Sequence, residues 1–162
     1  MFNFFKKKET VKELKAVTNG KVIPITEVKD DVFSSCMLGG GIAIQPSDSK
    51  STVVAPIDGE ISVVMEGSNH AVGIKVAEGF DLLLHIGIDT VSLNGEGFTS
   101  FISMGQKVKA GDKLIEFDKA LVESKGLCAD VIVIALDNPD LPKLNYSTGM
   151  DATAGETVIA TW

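Results

Sequence analysis

The apolar residues of this chain fall in short β-branched runs, not along a helical stripe. KVIPI, GIAI, STVVAPI, EISVVM, AVGIKV, FDLLLHI, DKLIEF, DVIVIAL and ETVIAT follow one another from residue 16 onward. Turn signals separate them: Asn19-Gly20, Gly39-Gly40-Gly41, Asp58-Gly59, Glu78-Gly79, Gly111-Asp112, Gly149 and Gly155. In Glu60-Ile61-Ser62-Val63 the alternation of polar and apolar positions is clear, as for a strand with one wet and one buried face. Only FDKALVESKG has helical character, as a very short helix ending at Gly126. Many brief strands with frequent turns predict an all-β fold, an antiparallel sandwich or barrel.

A faint internal repeat refines this picture. TNGKVIPI and IDGEISVV share a glycine, a charge and a β run. APIDGEI and GQKVKAGDKLIEF are similar to the two half-motifs of lipoyl and biotinyl carrier domains, which points to a duplicated hybrid motif of interlocking hairpins. That likeness concerns architecture and does not by itself give a function. The pattern begins only at residue 16, so the expected organisation is a flexible N-terminal tail, 1–15, and one domain, 16–162. In the tail, Phe2, Phe4 and Phe5 precede Lys6, Lys7 and Lys8. It reads as a solvated leader, or as a short basic amphipathic segment able to touch anionic lipid at the inner face of a membrane.

Composition narrows the classes. With 162 residues the chain has enough material for one domain with a core. Its net charge of −7 disfavours nucleic acid and suits a partner with a basic face. Cys36 and Cys128 lie far apart with no CxxC, which reads as two reduced thiols in a cytoplasmic protein. There is no apolar run of about 18 residues to span a membrane. MFNFFKKKET has no apolar region between its lysines and a cleavage site, so it does not read as a signal peptide.

The candidate chemistry sits in the greasiest stretch. Leu82, Leu83 and Leu84 lead straight into His85, then come Gly87, Asp89, Thr90, Gly95 and Gly97. The chain holds only one other histidine, His70, in GSNHAVGI. A lone histidine on an apolar strand is usually a satisfied core residue. One at a strand end, beside glycines and a carboxylate, is a candidate nucleophile, base or metal ligand. A hairpin turning at Glu78-Gly79 makes the two strands antiparallel neighbours. Counted out from that turn the histidines do not pair directly, but a twist or bulge would let them meet at one sheet end. Two chemistries suit such a pair. Zinc could be held by His70, His85 and Asp89. Alternatively, one imidazole attacks phosphorus while the other donates to the oxygens over which charge spreads. Gly39–Gly41 reads as a turn and not as a nucleotide-binding loop: no GxxxxGK[ST] is present, and GGGIAI leads into a strand.

LLLHIGIDTVSLNGEGF closely resembles the signature of the glucose-type enzyme IIA proteins of the bacterial sugar phosphotransferase system. The segment from GKVIPITEVKDD to STVVAPIDGEI resembles the family in order, as do NHAVGIK, GQKVKAGDKLIEFD and TAGETVI. The resemblance spans about residues 18–160. It implies an antiparallel β-sandwich and a phosphocarrier that takes a phosphoryl group from the small protein HPr and passes it to a cysteine of a permease's IIB domain, with no cofactor and no metal. It implies His85 as the phosphoacceptor through Nε2, with Nδ1–H held by the Gly87 carbonyl. It implies His70 as the stabilising imidazole, oriented by the hydroxyl of Ser68. Asp89, Asp30 and Asp31 would meet basic residues of the partner, and Val32, Phe33, Leu38 and Leu83 would form an apolar rim that excludes water. Lys29-Asp30-Asp31 stands where the family has Pro-Asp, and the glycines at 39–41 stand where it has Gly-Asp-Gly. CADVIVIALDN departs from the family's Thr-Pro-Val pattern near Val131. Two other readings stay open on the residues alone: a zinc hydrolase on a related β fold, and a lipoyl or biotinyl carrier modified at Lys119.

Overall fold

The computed structural model describes residues 12–162. Fourteen short strands are present among them: β1 (Glu13–Lys15), β2 (Gly20–Pro24), β3 (Gly41–Pro46), β4 (Lys50–Val54), β5 (Gly59–Val64), β6 (Ala71–Val76), β7 (Asp81–Ile86), β8 (Phe98–Ser100), β9 (Lys107–Val108), β10 (Lys113–Asp118), β11 (Val131–Ala135), β12 (Asn145–Tyr146), β13 (Asp151–Ala152) and β14 (Val158–Thr161). They form an eight-stranded sheet in the order β13-β2-β3-β11-β7-β6-β5-β9 and two three-stranded sheets, β4-β10-β8 and β1-β14-β12. The strand pairs are antiparallel. The all-β antiparallel sandwich expected from the short alternating runs is the fold observed.

Period-2 alternation places the core. Leu82, Leu84 and Ile86 of β7 are fully buried on one face of the large sheet and join the main cluster with Ile42, Ile44, Ile61, Ile74, Ile115 and Phe117. Each such side chain contributes roughly 1.5–3 kcal/mol by leaving water. The opposite face of the same sheet carries a second, smaller cluster: Ile23, Ala43, Ile132 and Ile134, capped by Ile25, Val28, Phe33 and Ile88. This second cluster is the floor on which the site is built.

Among the described residues there are two α-helices, α1 (Asp31–Ser34) and α2 (Lys119–Ser124). Helix α2 lies inside the stretch with helical character, its first turn capped by Asp118, which accepts from the Leu121 N–H at 3.0 Å. Helix α1, and the 3-10 turns Ile25–Glu27 and Thr90–Leu93, have no sequence periodicity to announce them. The span expected as a tail, residues 1–15, includes the strand Glu13–Lys15. Glu13–Lys15 pairs with β14, because Leu14 is fully buried against the main core and anchors an edge strand there. Phe2, Phe4, Phe5 and Lys6–Lys8 lie outside the described residues. Among the described residues, no helix is long and apolar enough to cross a membrane.

Candidate functional site

His85 is the last outward-facing residue of β7. Inward-facing Leu84 and Ile86 fix the strand's register, so His85 and Leu83 must face the second cluster. Its neighbour in β6 is Ala71, one residue after His70. In a regular strand His70 would therefore point to the other face. It is not in a regular strand. Gly67 and Asn69 both have positive φ, 88° and 53°, so the chain turns abruptly before β6 begins. The Ile86 N–H donates to the His70 carbonyl at 2.7 Å. The two rings then meet edge to face with centroids 4.9 Å apart. The expected meeting occurs, by a turn before the strand and not by a twist within it.

Each imidazole is held at its Nδ1. His85 Nδ1 lies 2.8 Å from the Gly87 carbonyl, which can only accept, so Nδ1 carries the proton and a neutral ring leaves Nε2 as a bare lone pair. His70 Nδ1 lies 2.6 Å from the Ser68 hydroxyl, and both residues are buried. Gly87 sits at φ 78°, and a Cβ there would come within 2.4 Å of the Thr90 methyl, so the turn that offers its carbonyl to His85 requires glycine. Gly95, at φ 88°, brings the next loop against the Gly67 carbonyl, 2.2 Å from where a Cβ would stand, and so backs the Ser68–His70 turn.

Burial lowers the pKa of both histidines below the ordinary 6.5. For His70 the neighbouring His85 charge adds to that effect. For His85 burial prevails over the Gly87 hydrogen bond and the carboxylates of Asp30 and Asp89, which all favour the cation. Two neutral imidazoles at neutral pH follow.

A cleft of about 220 Å³ opens over the pair, lined by Asp30, Val32, Phe33, His70, His85, Asp89 and Val91. The Phe33 ring lies tilted at 4.9 Å from that of His85. The carboxylate of Asp30 accepts from the Val32 N–H at 3.0 Å and so caps α1, which presents Val32 and Phe33. Not every residue expected around the site lines this cleft. Asp31 is exposed on the first turn of α1, outside the lining. Leu38 is exposed and Leu83 packs into the second cluster, so neither lines the cleft. Val91, 51% exposed, lines the cleft in their stead. It follows Thr90 in the signature run, and its position became visible only once the 3-10 turn did. Size does not choose the site: a larger hollow of about 520 Å³, lined by Asp58, Glu60, Lys75, Val76 and Val108 among others, holds no histidine or cysteine.

The two rival readings weaken. Among the described residues, no three His, Cys, Asp or Glu side chains group closely enough to hold a metal ion, so His70, His85 and Asp89 do not form a ligand set. Lys119 opens helix α2 and is half-buried, not presented on a hairpin tip.

Comparison with known proteins gives the family. Residues 12–141 match the family model described as phosphoenolpyruvate-dependent sugar phosphotransferase system, EIIA 1. The glucose-specific EIIA component of Haemophilus influenzae is 40% identical over 159 residues, 98% of this chain and 93% of that protein. That of Bacillus anthracis is 40% identical over 144 residues, 89% and 86%. The mannose-specific EIIBCA component of Corynebacterium glutamicum is 41% identical over 140 residues, which cover 86% of this chain but 20% of that protein. The solved structure of glucose permease IIA from Mycoplasma capricolum superposes with a TM-score of 0.82 at 35% identity, over 97% of both chains. On the family model and these relatives, the chain belongs to the EIIA 1 family of the phosphoenolpyruvate-dependent sugar phosphotransferase system and is a phosphocarrier of that system.

Proposed function

We propose that His85 is the phosphoryl acceptor, and that this chain takes the group from phosphorylated HPr and passes it to a cysteine of the IIB domain of a glucose-type permease. The observation that carries the assignment is the Nδ1 contact to the Gly87 carbonyl, because it leaves Nε2 of a neutral ring free to attack. The Nε2 lone pair forms a bond to phosphorus as the P–N bond to the donor's imidazole breaks, and that bonding pair leaves with the donor ring. In the second half-reaction a thiolate attacks the same phosphorus and the pair returns to His85 Nε2.

His70 serves the charge that spreads over the three equatorial oxygens. The Ser68 hydroxyl lies 2.6 Å from His70 Nδ1 and 3.3 Å from the Met65 carbonyl; when it gives its proton to the nearer Nδ1, the ring carries its own on Nε2 as a hydrogen-bond donor. Val32, Phe33 and Val91 keep water from the phosphoramidate. Asp30 and Asp89 at the cleft, with exposed Asp31 beside it, offer carboxylates to a partner's basic residues. Exposed Val32 and Leu38 offer it apolar area. The site of action is the cytoplasm, at the inner face of the membrane where the permease's IIB domain is found.

Incubation with phosphoenolpyruvate, enzyme I and HPr tests the reading. One acid-labile, base-stable phosphoryl group is expected on His85, and His85→Ala is expected to take up none. Stoichiometric uptake by that variant would sink the assignment.

A further inference from the structure

We propose that Thr90 is a positioning residue for phosphoryl transfer, holding through its hydroxyl the loop that presents the Gly87 carbonyl to His85. The inference rests on the reading of His85 as acceptor.

Immediately after His85 the chain reverses. Gly87 and Asp89 both take positive φ, 78° and 61°, and a non-glycine residue does not rest there without a reason. The Asp89 side chain makes no capping bond to the 3-10 turn that follows, so it does not hold its own loop. Thr90 does. It is fully buried, and its hydroxyl donates to the Ile86 carbonyl four residues back at 2.6 Å, closing the loop with one short bond. Its methyl fills the space over Gly87 that a Cβ would otherwise occupy. On the other side, the Gly87 N–H donates to the Asp130 carbonyl at 2.8 Å and the Ile88 N–H to the Cys128 carbonyl at 2.9 Å. These bonds fix where the loop sits. Thr90 fixes how its peptides are turned, and with them the carbonyl that decides the His85 tautomer.

The same bond reaches the second histidine. Ile86, whose carbonyl Thr90 holds, donates its N–H to the His70 carbonyl. One buried hydroxyl thereby sets a residue whose backbone touches both imidazole-bearing segments. The hydrogen bonds of the two rings go to Ser68 and Gly87 and that of the Thr90 hydroxyl to Ile86, so its effect on the chemistry passes through the backbone of residues 86–88.

Threonine supplies a hydroxyl and a methyl, and substitutions separate them. Thr90→Val keeps the packing over Gly87 and deletes the donor; Thr90→Ser keeps the donor. Imidazole ¹⁵N NMR on the unphosphorylated protein reads the His85 tautomer without any partner. Rapid-quench transfer from phosphorylated HPr reads kcat and KM separately. The wild type and T90S are expected to show a single neutral tautomer with the proton on Nδ1. T90V is expected to show both tautomers, with kcat about tenfold lower, as for one lost hydrogen bond, and KM unchanged. If T90V does not fold, Thr90→Ala is the second hydroxyl-free variant, with the same expected result. A single tautomer and an unchanged kcat in T90V, or equal loss in T90V and T90S, would overturn the proposal. Tautomer mixing in T90V together with a wild-type His85 that accepts no phosphate would instead support the positioning and defeat the acceptor reading.

Discussion

Of the two imidazoles, one is held by a carbonyl and the other by a hydroxyl, and that difference separates their work. A carbonyl holds the His85 ring proton on Nδ1, so Nε2 of the neutral ring carries the lone pair. A hydroxyl can donate or accept, so His70 can keep a proton on Nε2 toward the cleft and adapt as charge develops. Loss of His85 is therefore expected to abolish phosphorylation, whereas loss of His70 is expected to be graded. Accepting phosphate from HPr needs the lone pair, and HPr brings part of the surroundings. Donating to a thiolate is harder, because the leaving imidazole must part from a phosphoryl group whose oxygens carry the spread charge. One fixed donor lost from a dry site costs roughly 2.7–4 kcal/mol, about 10² to 10³ in rate. His70→Gln is thus expected to become phosphorylated but to pass the group to the IIB cysteine slower by roughly that factor. Rapid-quench rates for the two half-reactions decide this; equal slowing of both, or of neither, would make His70 merely structural.

Helix α1 has only four residues, and its existence depends on Asp30 more than on propensity. Asp30 performs two tasks that substitution can pull apart. As a cap it accepts from Val32; as a charge it favours protonation of His85. Asp30→Asn keeps an acceptor and removes the charge, so thermal stability is expected to hold while the His85 pKa falls further. Asp30→Ala removes both and is expected to cost about 1 kcal/mol of stability and to loosen Phe33 from the His85 ring. Calorimetry with an NMR titration of His85 checks the pair, and an unmoved His85 pKa in Asp30→Asn would contradict the electrostatic half. This element also marks where the sequence ceases to be legible. Strands are readable because short β-branched runs recur between turn signals, and in Glu60-Ile61-Ser62-Val63 the alternation repeats the pleat. A four-residue helix has no period to read, and Val28 and Phe33 are buried by a cluster assembled from distant strands. The histidine pair could be anticipated as neighbours across a hairpin, but not the positive φ of Asn69 that turns His70 to the right face. The family resemblance implied Leu83 and Leu38 in an apolar rim, yet alternation and loop geometry put one into the floor and the other outside the cleft.

At the scale of the molecule, the site is a local cost set on a well-packed sandwich. The large sheet is closed by apolar clusters on both faces, and the histidines sit where one of those clusters meets solvent. Their depressed pKa values therefore become a statement about global stability. Below pH 6.5, the ordinary histidine value, unfolded chains take up protons that the folded state resists. The unfolded state then binds more protons, so stability rises with pH in that window. It is complete above 6.5 and is lost as pH falls toward the lowered folded values, where the slope ends. Burial raises the Asp130 carboxyl instead, and a raised carboxyl gives the opposite slope, beginning in the ordinary carboxylate range. The comparison that isolates the histidines is denaturant unfolding of the wild type and of His70→Gln/His85→Gln between pH 5 and 7. The wild type is expected to lose stability on acidification across this range and the double variant to show a flatter profile, converging with or exceeding the wild type at the acidic end. Parallel profiles would mean that the imidazoles are as easily protonated in the fold as out of it. A cleft that does not resist the proton would also fail to keep Nε2 available to phosphorus, so this equilibrium measurement bears on the transfer chemistry without a single turnover.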